Sequence, residues 1–147
     1  GAIAASNAVD KSGGKCLDRH QVPWVVFTDP QVAGVGVSQQ QAAAAGLAVD
    51  VSTVPLSMVP RCIAAGNTAG LVTLIRDHST HKILGARVVA PEGGELATAA
   101  SIAISAGLTS EQLAAMLFPY LTLSEALKLA ALGFDQDLHS LSCCAAT

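Results

Sequence analysis

Residues 70–90 read GLVTLIRDHSTHKILGARVVA, and they decide the predicted fold. Two runs rich in valine, leucine and isoleucine, 70–76 and 82–90, stand on either side of the polar segment 77–81. Apolar runs of this length that flank a short polar segment are typical of a β-hairpin. The sequence therefore predicts two antiparallel strands joined by a hairpin loop.

The residues before this hairpin predict three further strands and two helical segments. Ser38 is a predicted N-cap for a helix over residues 39–45, which Gly46 ends. Residues 1–10 predict the tail of a helix of small residues, and residues 57–61 predict a turn or a single helical turn. The strands are short apolar runs rich in valine, at residues 24–27, 34–37 and 47–56.

The residues after the hairpin are mainly helical in pattern, once Pro91-Glu92-Gly93-Gly94 has ended the sheet. Thr109 with Gln112, and Thr122 with Glu125, have the spacing of capping boxes. Predicted helices cover about residues 95–106, 110–117 and 123–131. Strands that come first and pair as hairpins, followed by helices, favour an α+β fold with an antiparallel sheet backed by helices.

Composition predicts one domain whose apolar surface another subunit or domain covers. The chain has 147 residues, and 13% are charged, about half the usual share. We expect part of the covered surface around Leu113, Leu117 and Leu127, and hence a dimer. A net charge of −3 without a basic run argues against nucleic acid as a partner. The uncharged stretch 96–110 is too short to span a bilayer, so we expect no membrane partner.

The four cysteines are Cys16, Cys62, Cys143 and Cys144. Residues 1–7 lack the charged start of a secretion signal, and adjacent cysteines join only in a strained ring. We therefore expect reduced thiols and a cytoplasmic location. Arg61 beside Cys62 could favour the thiolate of that cysteine, but no partner is in view, so Cys16 and Cys62 are both interpreted as incidental.

The adjacent pair Cys143-Cys144 is the main candidate site for a metal ion. Only Ala145-Ala146-Thr147 follows it, so we expect this tail to be mobile. Two thiolates suit a soft cation such as Hg(II), and exchange between thiolates would let the ion be passed on. The alternative is an incidental or oxidised tail, and the residue pattern leaves both interpretations open.

Three other motifs are candidate sites. Tyr120 follows Pro119, and its phenol could be a hydrogen-bond donor, an oxygen ligand or an interface aromatic group. His78 and His81 lack a further ligand nearby, which favours a solvated loop over a zinc site. Gly34-Val35-Gly36 lacks the third glycine of a dinucleotide fingerprint, so we expect a glycine-containing strand and no FAD or NADPH bound by this chain itself.

Four segments of the chain resemble the C-terminal dimerisation domain of the mercuric reductases, which belong to the pyridine nucleotide-disulfide oxidoreductases. The resemblance covers the chain from about Val22 onward. It implies a dimerisation domain over residues 21–147, preceded by the tail of a flavin domain and a linker over residues 1–20. The segments are VFTDPQVA at 26–33, APEGGE at 90–95, LFPYLTLSEALKLAA at 117–131 and LSCC at 141–144.

Two differences between this chain and the disulfide-reducing members of the family point to the mercuric branch. Disulfide-reducing relatives such as dihydrolipoamide dehydrogenase carry a catalytic histidine and a proline where this chain has Tyr120 and Leu121, although Glu125 keeps its place. Those relatives also lack the terminal cysteine pair. A histidine–glutamate couple serves as general acid for a thiol leaving group, which the reduction of a metal ion does not need.

The resemblance implies a homodimer whose own flavin and NADPH domains reduce Hg(II) to Hg(0). Cys143 and Cys144 would take Hg(II) from its complexes with small thiols and pass it to a buried dithiol of the partner subunit. Tyr120 would line the path and transiently bind the ion. This chain alone is expected to be inactive. The alternatives are a non-catalytic dimer module that binds soft metals, and a dihydrolipoamide dehydrogenase-like domain, against which Tyr120 argues.

Overall fold

The computed structural model describes residues 1–10, 14–16, 18 and 21–140, without the side chain of His139. The strands precede most of the helices, in the predicted order. None of the helices in the described part of the chain is long and apolar enough to cross a membrane. The elements are α1 Ala2–Val9, β1 Trp24–Val26, β2 Gln31–Gly36, α2 Gln39–Ala44, β3 Val49–Pro55, α3 Pro60–Ala64, β4 Leu71–Asp77, β5 Ile83–Ala90, α4 Gly93–Ser105, α5 Ser110–Ala115 and α6 Glu125–Leu132.

The five strands form one sheet in the order β1-β2-β5-β4-β3, and each neighbouring pair is antiparallel. The predicted hairpin of β4 and β5 lies inside this sheet, with Val72 opposite Val88. Its loop is held by the Asp77 carboxylate, which accepts hydrogen bonds from the backbone N–H groups of Ser79 and Thr80 at 3.1 and 2.7 Å. The predicted α+β fold with an antiparallel sheet is confirmed.

The core lies between one face of this sheet and the helices. Helix α4 packs on β2 and β5, while α6 packs on β3 and β4. Burial alternates along β3, at Ser52 and Val54, whereas the inner strands β2, β4 and β5 also bury consecutive residues. The side of α4 that meets the sheet is mostly alanine, which lets the helix approach closely. The buried residues of α4 are Gly93, Leu96, Ala97, Ala100 and Ala103.

Helices α2 and α5 begin with capping boxes. The Ser38 hydroxyl accepts the Gln41 N–H at 3.0 Å, and the Gln41 side chain accepts the Ser38 N–H at 2.8 Å. Thr109 and Gln112 make the same reciprocal pair, as predicted. Both helices end slightly earlier than their sequence patterns predict, α2 at Ala44 and α5 at Ala115.

Residues 57–61, predicted as a turn or a single helical turn, contain the end of a 3-10 turn over Leu56–Met58 and the start of helix α3. Pro60 occupies its first turn, where the missing N–H of proline is tolerated. Cys62 lies on the buried side of this helix and is only 3% exposed. Burial raises the pKa of the Cys62 thiol and outweighs the opposite effect of Arg61. Arg61 therefore does not make Cys62 a thiolate site, because desolvation of the charged form dominates.

Candidate functional site

Tyr120 lies on the connection between α5 and α6, residues 116–124, hereafter the Tyr120 loop. Leu117 is 93% exposed and Tyr120 is 66% exposed. Phe118 and Leu123 instead pack against the core, so the chain is anchored on both sides of Tyr120. An anchored segment that presents apolar side chains to water is typical of an interface.

The backbone beside Tyr120 adopts an uncommon conformation. Leu121 has a φ of 61°, in the left-handed region, which costs an L-residue about 1–2 kcal/mol. A hydrogen bond from the Thr122 hydroxyl to the Pro119 carbonyl, at 2.8 Å, closes the turn around Leu121. This turn directs the chain outward at Tyr120 instead of continuing α5 into α6.

The predicted capping box of Thr122 and Glu125 forms only in half. The Glu125 carboxylate accepts the Thr122 N–H at 3.2 Å, as a capping box requires. The Thr122 hydroxyl, however, donates to Pro119, and Ser124 occupies the N-cap position. The structure thus corrects the prediction, because the turn before the helix uses the hydroxyl that would otherwise cap it. Helix α6 accordingly begins at Glu125.

The apolar surface that the sequence assigned to a partner is smaller than predicted. Leu113 is 4% exposed and Leu127 is 2% exposed, so both belong to the core of this chain. Leu117 alone of the three is open to solvent. The prediction is wrong for Leu113 and Leu127 because α5 and α6 pack on each other and α6 packs on the sheet, and this covers both side chains.

The two loop histidines each bind a carboxylate. His78 Nδ1 lies 2.8 Å from Asp50 Oδ1, and His81 Nδ1 is hydrogen-bonded to Glu111 Oε1. The hydrogen bond from His81 lowers the pKa of the Glu111 carboxyl to about 2. Within the ranges that the structure covers, no three histidine, cysteine or acidic side chains form a group that could hold a metal ion.

Arg76 is the centre of the polar cluster that the sequence analysis missed. Its guanidinium donates to Asp50 Oδ2 at 3.0 Å, to Ser110 Oγ at 2.9 Å, and to both carboxylate oxygens of Asp135 at 3.0 and 3.1 Å. The Phe134 ring centroid lies 4.4 Å from the guanidinium carbon. The side chain of Arg76 is only 7% exposed. One buried cation therefore joins β3, β4, α5 and the segment after α6.

The electrostatics of the cluster favour its charged forms. Hydrogen bonds from His78 and then from Arg76 lower the pKa of Asp50. The hydrogen bond with Asp135 is the main reason that the pKa of Arg76 is raised. One sequence signal could have found this cluster, because Arg76 occupies an inward-facing position of an apolar strand, where a charge needs a buried partner.

Comparison with known proteins gives a family for this fold. Residues 22–131 match the family described as pyridine nucleotide-disulphide oxidoreductase, dimerisation domain. The chain belongs to this family. The match begins just before β1 and ends inside α6, so it includes the whole sheet and the Tyr120 loop of this dimerisation domain.

Curated relatives of this dimerisation domain carry the name mercuric reductase. The protein from Lysinibacillus sphaericus is 46% identical over 99% of this chain and 26% of its own length. The one from Streptomyces lividans is also 46% identical, over 99% of this chain and 30% of its own length. The relative from Acidithiobacillus ferrooxidans is 47% identical over 94% of this chain. The chain thus spans about a quarter of the length of the relatives it matches.

Solved structures share the fold of the dimerisation domain. LpdA from Mycobacterium tuberculosis matches with a TM-score of 0.78 and 30% identity, over 87% of this chain and 28% of that one. The HOCl-induced flavoprotein disulfide reductase RclA from Escherichia coli matches with a TM-score of 0.77 and 27% identity, over 88% of this chain and 30% of that one. The sheet and its helices are therefore common to this chain and to these two structures.

A dinucleotide does not fit the glycine segment of this dimerisation domain. Gly34 and Gly36 lie within β2, and a Cβ on Gly36 would meet the Leu84 carbonyl oxygen at 2.1 Å. A Cβ on Gly34 would lie 2.9 Å from Trp24. The glycines therefore allow close packing inside the sheet and do not form a phosphate-binding loop at a helix start. The prediction of a glycine-containing strand is confirmed.

The predicted ligands Cys143 and Cys144 lie outside the described residues. The last described segment, residues 134–140, is hereafter the tail root. It ends in a 3-10 turn over Leu138–Ser140, three residues before Cys143. The structure places Tyr120 in the Tyr120 loop and Glu125 at the first residue of α6, while the predicted roles of Tyr120 and of the cysteine pair remain predictions.

Proposed function

We propose that this chain is the C-terminal part of an NADPH- and FAD-dependent mercury(II) reductase. Residues 21–147 would form its dimerisation domain, and residues 1–20 the end of the flavin domain with its linker. The observation that carries the proposal is the 41–47% identity to proteins named mercuric reductase over 94–99% of this chain. FAD and NADPH would be held by other domains of the same polypeptide.

In this proposal Cys143 and Cys144 capture Hg(II) from its complexes with small thiols. Each cysteine thiol forms a bond to the ion and gives up its proton, and each displaced small thiolate leaves as a protonated thiol. The charge on the ion and the number of protons therefore stay balanced. Repetition of the same exchange passes the ion to a buried dithiol of the partner subunit.

Tyr120 would steer the ion along this path, and its exposed position supports that role. Tyr120 is 66% exposed on an anchored loop, and a phenol oxygen can serve as a ligand. Glu125, which in disulfide-reducing relatives supports a histidine, here accepts the Thr122 N–H. The sequence at this place supports the mercuric interpretation over a dihydrolipoamide dehydrogenase-like one, because Tyr120 replaces the histidine of the histidine–glutamate couple.

The partner in this proposal is a second copy of the chain, and the family itself is a dimerisation domain. The exposed apolar side chains of the Tyr120 loop would lie against that copy. Met116 is 47% exposed and Leu121 is 42% exposed, next to the still more open Leu117 and Tyr120. Burial of such side chains between subunits stabilises a dimer. A cytoplasmic location, where thiols stay reduced, also belongs to the proposal.

A Hg(II) titration of the reduced chain tests the proposal. In the presence of excess small thiol, we expect the wild type to hold about one Hg(II) per chain, because two neighbouring thiolates chelate. The variant Cys143→Ala/Cys144→Ala should lose this ion. The matched control, Cys16→Ala/Cys62→Ala, also removes two thiols and should retain it.

Two outcomes would contradict the proposal. If the Cys143→Ala/Cys144→Ala variant holds as much Hg(II) as the wild type, the terminal pair is not the capture site. If the isolated chain reduces Hg(II) with NADPH, the assignment of the chemistry to other domains is wrong.

A further inference from the structure

We infer that Glu125 is a positioning residue for Tyr120, because its side chain fixes the turn that presents the phenol. The inference deepens the proposed function and rests on its assignment of Tyr120 to the path of Hg(II). It gives Glu125 a task that differs from the support of a histidine in disulfide-reducing relatives. The side chain of Glu125 acts on the backbone beside Tyr120 and needs no contact with the ion.

The first step of the argument is that Thr122 is held at both its backbone and its side chain. Its N–H donates to Glu125 Oε2 at 3.2 Å, and its hydroxyl donates to the Pro119 carbonyl at 2.8 Å. The hydroxyl has only one hydrogen, so Ser124 is the donor in the 2.9 Å contact between the two hydroxyl oxygens. These bonds close a turn around Tyr120 and join it to the first residue of α6.

The second step is that this turn is unfavourable for its own residues and needs such bonds. Leu121 has a φ of 61°, in the left-handed region, which disfavours an L-residue by about 5- to 30-fold. Phe118 and Leu123 pack against the core and fix where the loop lies. Apolar contacts are not directional, so they do not select one backbone conformation. The hydrogen bonds of Thr122 are directional and do select it.

The third step is that Glu125 projects from a well-packed helix. It is the first residue of α6, and the three residues that follow it, Ala126, Leu127 and Lys128, are buried. Helix α6 itself packs on β3, β4 and α5. The acceptor for the Thr122 N–H is therefore fixed by the core of the domain. Its removal would break the direct hydrogen bond between α6 and the turn.

Two variants of Glu125 separate its hydrogen bond from its charge. Glu125→Gln keeps a side-chain oxygen that can accept the Thr122 N–H, whereas Glu125→Ala removes both the oxygen and the charge. Glu95 provides the matched control, because it is an exposed acidic residue in the first turn of α4, as Glu125 is in the first turn of α6. Glu95→Ala therefore reproduces the loss of a charge at a helix start without a change in the turn.

The first measurement is hydrogen exchange of the backbone amides of residues 120–124 in the proposed full-length reductase. We expect Glu125→Ala to accelerate exchange in this segment, because the Thr122 N–H loses its acceptor. Glu125→Gln and Glu95→Ala should leave the segment as slow as in the wild type. Exchange that stays slow in Glu125→Ala would show that Glu125 does not hold the turn, and the inference would be overturned.

The second measurement is kcat/KM of the same reductase with Hg(II) supplied as its complex with excess small thiol. Glu125→Ala should lower kcat/KM about 5-fold, since the loss of one hydrogen bond shifts a local equilibrium by about that factor. Glu125→Gln should stay near the wild type. Thr122→Val removes the bond to the Pro119 carbonyl and should also lower kcat/KM, so the inference stays testable if Glu125→Ala does not fold.

A double-mutant cycle with Tyr120→Phe separates positioning from a general effect on the fold. Glu125→Ala should cause no further loss of kcat/KM in the Tyr120→Phe background, because the phenol that it positions is already absent. An equal loss in both backgrounds would mean that Glu125 acts on the enzyme by another route. That result would overturn the inference.

The assigned roles of Tyr120 and Glu125 fail in different ways. If Tyr120→Phe leaves kcat/KM unchanged, the phenol does not steer Hg(II), and this part of the proposed function and the inference fall together. If Tyr120→Phe lowers kcat/KM while Glu125→Ala does not, the role of Tyr120 stands and only the role of Glu125 is refuted.

Discussion

Apolar side chains are usually buried and charged ones exposed, and the segments before and after helix α6 depart from this in opposite ways. Before the helix, the Tyr120 loop exposes Leu117, whose side chain is 93% accessible. After the helix, the tail root is bound to Arg76, whose charged side chain is only 7% accessible. The buried charge finds its partners inside the chain, whereas the exposed apolar groups would need a partner outside it. The contacts of the tail root with Arg76 are therefore formed within this chain, whereas the Tyr120 loop leaves apolar side chains exposed.

The largest expected effect comes from a comparison of two leucines, Leu127 in α6 and Leu117 in the Tyr120 loop. Leu127→Ala should lower the free energy of unfolding by about 3–4 kcal/mol, because it leaves a cavity in the core. Leu117→Ala should change the free energy of unfolding of the monomer by less than about 0.5 kcal/mol. Denaturant titrations at one low protein concentration would measure both.

In sedimentation the two variants should rank in the opposite order, because the larger effect on self-association is expected for Leu117→Ala. Leu117→Ala is expected to weaken self-association because it removes apolar surface that the second copy would cover, whereas folded Leu127→Ala should still associate. Unchanged association of Leu117→Ala would remove the Tyr120 loop from the dimer interface. The contrast between the two ends of α6 would then lose its explanation.

An intermediate effect is expected for Arg76→Met, which keeps most of the side-chain volume and removes the charge. Asp50, Asp135 and Ser110 would lose their common donor, and the free energy of unfolding should fall by about 2–3 kcal/mol. The partial exposure of both carboxylates allows them to regain water, which keeps the loss below that of a fully buried pair.

Equilibrium unfolding in denaturant would measure this loss, with Arg76→Lys as the control. Lysine keeps the charge but cannot bind Asp135 through two parallel hydrogen bonds, so its loss should be smaller than that of methionine. A methionine variant as stable as the wild type would mean that desolvation of Arg76 cancels its contacts.

The smallest expected effect is a pH dependence that comes from Glu111. The pKa of this carboxyl is lowered from 4.5 to about 2 in the folded chain, mainly by the hydrogen bond from His81. A depressed pKa contributes stability that is complete above about pH 4.5 and is lost as the pH falls toward 2. Because Glu111 is largely exposed, we expect less than about 1 kcal/mol.

Urea titrations of the wild type and of Glu111→Gln between pH 6 and pH 2.5 would check this dependence. The wild type should be more stable at the upper end of this range, and the two variants should converge at the lower end. Parallel curves would show that His81 does not stabilise the Glu111 carboxylate. The hairpin loop and α5 would then be held together without this pair.

Much of the fold could be predicted because its signals are local. The hairpin of residues 70–90 appears as β4 and β5, and the capping boxes at Ser38 and Thr109 begin α2 and α5. These features depend on residues a few positions apart, so the sequence displays them directly. The Thr122 box failed because its hydroxyl had a competing partner, the Pro119 carbonyl, which only the turn at Leu121 brings within reach.

The sequence predicted which residue of the candidate site carries chemistry better than it predicted which neighbouring side chains are buried. The resemblance identified Tyr120, and the structure places it on an exposed loop. The sequence could not tell Leu113 and Leu127 from Leu117, since all three follow helical spacing. Their burial depends on how α5 and α6 pack on each other and on how α6 packs on the sheet, which a helical pattern does not specify.

By itself the sequence determined an antiparallel sheet backed by helices and the family to which the chain belongs. Both rest on short-range periodicity and on motifs that are contiguous in the chain. Only the tertiary structure decided the partners of Arg76, because Asp50 and Asp135 lie 26 and 59 residues away from it in sequence. A buried charge must be paired, but which groups pair with it depends on where distant segments meet, and packing of the whole domain determines that.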